Sequence, residues 1–146
     1  MKHHLILRVI TKLLVGPIML FAFYVQFHGD YSPGGGFQAG VIMAVGIIIY
    51  GIVFDMEHAK KVLPAWFVHK MLAFGVLLYT FTGVISFFRG KNFLDYSALS
   101  PHSAIHGQHY GILIIELGVG ITVSGVMIAI YYAFGSRTSE INDAEW

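Results

Sequence analysis

The sequence predicts an all-α membrane protein, a bundle of four transmembrane helices with both termini on one side. Three observations point there. Of 146 residues, 56% are hydrophobic and only 12% charged, against about 25% charged in soluble proteins. Mean hydropathy is +0.70. The apolar residues also gather into four long runs, each near the ~20 residues that a helix needs to cross a hydrocarbon core of about 30 Å.

The first run predicts a helix over about residues 5–27. Arg8 and Lys12 share one face of its first turns and can snorkel to the headgroups. The stretch from Leu13 to Phe27 is uncharged. Pro17 lies inside it and predicts a kink, tolerable where neighbouring helices cover the freed carbonyl. The apolar start resembles a secretory leader, but no small-residue cleavage site follows, so a retained helix is expected. The second helix is expected over about 36–54, with no charge between Tyr31 and Phe54. The third is expected over about 71–88, which spans about 27 Å at helical rise. The fourth, over about 109–134, is interrupted by one charge, Glu116. Between the second and third, His58 to Lys70 is expected to include a short surface helix broken at Pro64. The longest connection, Arg89 to about Gln108, is too short for a soluble domain, so residues 1–146 read as a single transmembrane domain.

The cations orient this bundle. Lys2, Arg8, Lys12, Lys60, Lys61, Lys70 and Arg137 fall on one side, and only Arg89 and Lys91 on the other. Positive residues collect in the cytoplasm, which predicts N-in and C-in. Trp66 and Tyr50 suit an interfacial belt on the inner side. The net charge of +1 gives no reason to expect nucleic acid. The absence of cysteine excludes disulfides, thiolate metal sites, iron–sulfur ligation and a cysteine nucleophile.

Four polar features stand out. The first is the turn His28-Gly29-Asp30-Tyr31-Ser32-Pro33-Gly34-Gly35-Gly36-Phe37-Gln38-Ala39-Gly40. Its three consecutive glycines allow positive φ and close backbone approach. They serve either to aim free N–H groups at an anion or partner, or simply to start the second helix against another backbone. Gly36, Gly40 and Ala44 repeat every four residues, the small-residue face by which membrane helices meet closely. The second feature is Glu116, about two turns into the fourth helix. A carboxylate there must face protein or water, find a partner, or take up a proton. It reads as a proton relay or ion-path group, or as a hydrogen-bonded packing residue. No transmembrane Lys or Arg can neutralise it, which leaves His109, a polar group or another subunit.

The third feature is His102, His106 and His109, whose spacing would suit a divalent metal on a helix. No carboxylate matches, and Pro101 and Gly107 predict no firm helix, so no metal and no cofactor is expected. Haem would need histidines at matched depth in facing helices, and His28 and His109 lie at helix ends instead. The fourth feature is the set of hydroxyls Thr80, Thr82, Ser86, Thr122 and Ser124. Such groups usually bond their own helix, and a minority line hydrated paths. One acid, no inverted repeat and no cation-coordinating cluster do not make a transporter by themselves. Thin, glycine-rich helices predict a subunit packed between neighbours.

The same residues resemble a family. Pro33-Gly34-Gly35-Gly36-Phe37-Gln38-Ala39-Gly40, after a Lys-bearing first helix, resembles the signature of the MnhB-type subunit of the multisubunit Mrp (Mnh or Sha) sodium/proton antiporters. Phe81-Thr82-Gly83-Val84-Ile85-Ser86-Phe87 and Glu116-Leu117-Gly118-Val119 resemble its third- and fourth-helix segments. The resemblance implies a small, non-catalytic subunit of a complex in the cytoplasmic cell membrane. That complex exchanges sodium or lithium for protons. Its large subunits, related to the antiporter-like subunits of respiratory complex I, would be the partners, together with the lipid bilayer. Glu116 would then be the ion-path candidate. Pro33, Gly34, Gly35, Gly36, Phe37 and Gly40 would form an external turn and subunit contact, with His109, Asp30 and Thr82 as lesser candidates. The family turn usually carries Gly-His-Asn, and here Gly29-Asp30-Tyr31-Ser32 departs from it. A membrane-bound hydrogenase arm, which uses the same small-subunit type, is the alternative.

Overall fold

The computed structural model describes residues 5–29, 33–100 and 103–136. Four helices are long and apolar enough to span a membrane. They are α1 (Leu5–Phe27), α2 (Gly36–Phe54), α4 (Ala65–Phe88) and α5 (Ala104–Gly135); α3 (Met56–Val62) and a 3-10 turn (Tyr96–Leu99) are short. No strand occurs among the described residues.

Two helices begin earlier than their apolar runs predict. α4 starts at Ala65 instead of about 71, because His69 and Lys70 end the apolar run but are sound helix residues. Pro64 immediately precedes it with extended backbone (φ −62°, ψ 145°), the geometry that suits a helix entry. α5 starts at Ala104 instead of about 109. The expectation that Gly107 and Pro101 leave this stretch without a firm helix fails at Gly107. Its N–H donates to the Ser103 carbonyl at 3.1 Å, so the helix runs through it. Glycine is needed there for another reason: a methyl would stand 2.6 Å from the Tyr96 carbonyl oxygen. Pro101 lies outside the described residues, as does His102.

The long helices line up in the order α1, α2, α5, α4, so that α5 is flanked by α2 and α4 while α1 rests mainly on α2. α1 accordingly buries only Thr11, Ala22 and Gln26, one stripe at helical spacing.

One end of the row is closed by α3. The expected surface helix is there, stopped by Pro64. Asp55 turns the chain with φ 79°, and α3 lies across the ends of α2 and α5. Ala59 joins Ala44, Val68, Ile128 and Tyr132 in a buried cluster. The Tyr132 hydroxyl donates to the Leu63 carbonyl at 2.9 Å. At this end Arg8 and Lys12 lie over the Phe54 ring, 4.9 and 5.4 Å from its centroid. Lys60 lies over Tyr132 and Lys70 over Trp66. The cations of α1, α3 and α4 therefore share one end of the row.

Candidate functional site

At the opposite end the triple-glycine turn meets Glu116. α1 stops at Phe27 and α2 starts at Gly36. Gly35 precedes it with φ +132°, a conformation that glycine adopts without strain. Gly35 and Gly36 are buried because α5 passes directly over them. A methyl on Gly36 would strike the Glu116 backbone carbonyl, and one on Gly40 would stand 2.6 Å from the Gly120 carbonyl oxygen. The small-residue face of α2 thus docks on α5 of the same chain, Gly36 and Gly40 against Glu116 and Gly120, with Ala44 and Ser124 fully buried further along.

The Glu116 side chain points into the turn. A methyl on Gly29 would stand 2.5 and 2.7 Å from its two carboxyl oxygens, and one on Gly35 3.0 Å from Oε1. Both ends of the turn therefore pack against a single carboxyl group, a fit that side chains at 29 or 35 would prevent. That carboxyl also lies beside the first residues of α2, where unpaired N–H groups and the helix dipole favour negative charge. Glu116 is partly buried. It stands about 18 Å along α5 from Ala104 at helical rise, a little over three turns in, because the helix begins earlier than its apolar run.

The remaining site candidates fall in different places. Pro33 and Phe37 face outward, Phe37 with 62% of its surface exposed, and Gly34 is half-buried. Asp30 lies outside the described residues. His109 is exposed on α5, its ring 6.2 Å from that of Tyr110. His28 stacks on Tyr24 at 4.1 Å. Thr82 is buried and donates to the Leu78 carbonyl at 2.9 Å. Thr80, Ser86, Thr122 and Ser124 likewise bond carbonyls of their own helices. Among the described residues no three His, Asp or Glu side chains converge as a metal site would require.

Sequence reading missed Gln26. It is the one amide in the run from Leu13 to Phe27, and the structure buries it to 8% exposure. Its side-chain oxygen would stand 2.5 Å from a methyl on Gly120, one turn along α5 from Glu116. With Phe23, Met43 and Leu117 it lines a cavity of about 210 Å³ between α1, α2 and α5. An amide inside an otherwise apolar span was the signal that pointed to it.

The other side of α5 is closed differently. Arg89 donates to the Ala98 carbonyl. Lys91 reaches the Ser97 hydroxyl at 2.8 Å. Ser97 donates to Asp95 through its hydroxyl at 2.6 Å and its N–H at 3.1 Å. These bonds, the hydroxyl first, hold the Asp95 carboxyl below the usual carboxylate range. The loop's aromatic rings fill places where α4 and α5 lack side chains, Phe93 over Gly83 and Tyr96 over Gly111.

Fold and site together define a multi-pass membrane protein, its spanning helices meeting through glycine and closing a glycine turn over one acidic side chain. The family model described as "Domain related to MnhB subunit of Na+/H+ antiporter" matches residues 6–129. A Staphylococcus haemolyticus protein named "Putative antiporter subunit mnhB2" is 33% identical over 140 residues, 94% of this chain and 99% of its own. The protein of that name from Staphylococcus aureus strain Newman is 34% identical over the same shares. The chain belongs to the MnhB family.

Proposed function

We propose that the chain is a small membrane subunit of a multisubunit sodium(lithium)/proton antiporter in the cytoplasmic membrane, and that Glu116 is its protonatable contribution to the ion path. The family and the antiporter names of its relatives support the first part. The second rests on one observation, the packing of Gly29 and Gly35 against the Glu116 carboxyl group. A carboxyl inside an apolar span is costly when charged, and the start of α2 offsets that cost. In this reading the group exchanges a proton at the mouth of a shared path.

The cations of the α3 end face the cytoplasm in this reading, by the positive-inside preference. Both termini are then cytoplasmic, and the glycine turn and Glu116 lie toward the outer face. Pro33 and Phe37 remain outward for contact with a large, complex-I-like subunit. The whole chain acts as one transmembrane unit without catalytic chemistry of its own.

The test is Glu116→Gln in the assembled complex, which keeps shape and removes the ionisable proton. Antiport is expected to fall on the order of tenfold while assembly and membrane content stay unchanged. Full antiport in the assembled variant would leave Glu116 a packing residue only.

A further inference from the structure

Near the cationic end, α4 and α5 part to leave a groove of about 450 Å³, lined by Phe67, Lys70, Met71, Phe74 and Ile121. Phe67, Lys70, Met71 and Phe74 follow one another at helical spacing along α4. The groove runs about 10 Å along the helix axis at helical rise. Its lining is apolar throughout, Lys70 contributing its aliphatic stem. The Lys70 ammonium lies 4.7 Å from the centre of the Trp66 ring, and an indole is the side chain that marks the headgroup level of a bilayer. α4 has 24 residues, about 36 Å at helical rise, so it overreaches the hydrocarbon core by about one turn. Lys70, five residues from its start, stands where headgroup gives way to acyl chain.

We infer that this groove is a binding site for an anionic phospholipid, an acyl chain lying along Phe67, Phe74 and Ile121 and the phosphate held by Lys70. Charge complementarity favours that occupant. Lys60 and Lys61 on α3 belong to the same end of the molecule as Lys70, and a cluster of cations at a membrane surface attracts acidic lipids. The lipid site is independent of the role of Glu116, which lies on the α2 side of α5.

The experiment places benzoylphenylalanine at position 74 of the full-length chain in its native membrane. The membrane is illuminated, and the adducts on this chain are identified by mass. A phospholipid adduct is expected, enriched in phosphatidylglycerol or cardiolipin over phosphatidylethanolamine relative to the membrane's own composition. Lys70→Gln should reduce that enrichment roughly fivefold, Lys70→Arg should keep it, Lys61→Gln, outside the groove, should reduce it less, and Lys91→Gln, in the loop at the other end of α4, should leave it nearly as it was. A cross-link to another protein, adducts that mirror bulk lipid composition, or equal enrichment with Lys70→Gln would each overturn the assignment.

Discussion

The two seams of α5 are built from the same residue type and end in opposite ways. Toward α2, Gly36 and Gly40 meet Glu116 and Gly120 backbone to backbone. Toward α4, Gly118 meets the Gly75 carbonyl, while Gly125 faces the Leu72 side chain. Glu116 and Gly118 are two residues apart, about 200° around the helix, so one short stretch serves both seams. The α4 seam ends under a loop whose acid, Asp95, is tied by Ser97, whose hydroxyl also accepts from Lys91. The α2 seam ends under a turn whose Gly29 and Gly35 close on the acid of α5 itself. Glycine between helices therefore serves two ends here. On one side it permits close packing, and on the other it also makes room for an ionisable group.

The largest expected effect lies where backbone meets backbone. Gly36→Ala would push a methyl into the Glu116 carbonyl, and neither helix can yield without moving. A loss of roughly 1–3 kcal/mol or more is expected, seen as a lower unfolding temperature in detergent and less chain in the membrane. Gly125→Ala meets the flexible end of Leu72 at 3.1 Å and should cost less than about 1 kcal/mol. Equal losses from the two would mean that a methyl against backbone costs no more here than one against a side chain.

A smaller effect is expected at the hydroxyls. Thr122 sits in the α4 seam but donates to Gly118 of its own helix at 2.8 Å. Thr122→Val keeps its shape and should change stability by no more than about 0.6 kcal/mol, with antiport near wild type. A tenfold loss of antiport would move the ion path to this seam.

The smallest effect belongs to Asp95. Its carboxyl is held below the usual range, mainly by the Ser97 hydroxyl. A depressed acid contributes its stabilisation above the unfolded value, about 3.9, and loses it as pH falls through the folded value. The Ser97 amide should therefore stay protected from hydrogen exchange near neutral pH and lose protection only below about pH 4. Protection unchanged at still lower pH would mean that the loop holds without this carboxylate.

Much of this was legible in the sequence because the bilayer imposes it. Length and apolarity showed the four spans, and Pro64 divided the loop between the second and third. The starts of α4 and α5 were not legible, since an apolar run records where the hydrocarbon begins, whereas His69, Lys70 and Gly107 all continue a helix beyond it. The turn and Glu116 were each visible, but not their meeting, which depends on how far α2 and α5 slide past one another. Gln26 was overlooked because one amide among apolar neighbours reads as tolerated until its burial against Gly120 is seen.

The central claim is that the glycine turn and the Glu116 carboxyl act as one unit, and a double-mutant cycle measures it most directly. Antiport by the assembled complex is compared for wild type, Gly29→Ala, Glu116→Gln and the pair. The methyl at position 29 should displace the carboxyl and lower antiport by itself, yet add nothing once the acid is gone, so that the pair matches Glu116→Gln alone. Losses that multiply as though the two positions were independent would contradict the account.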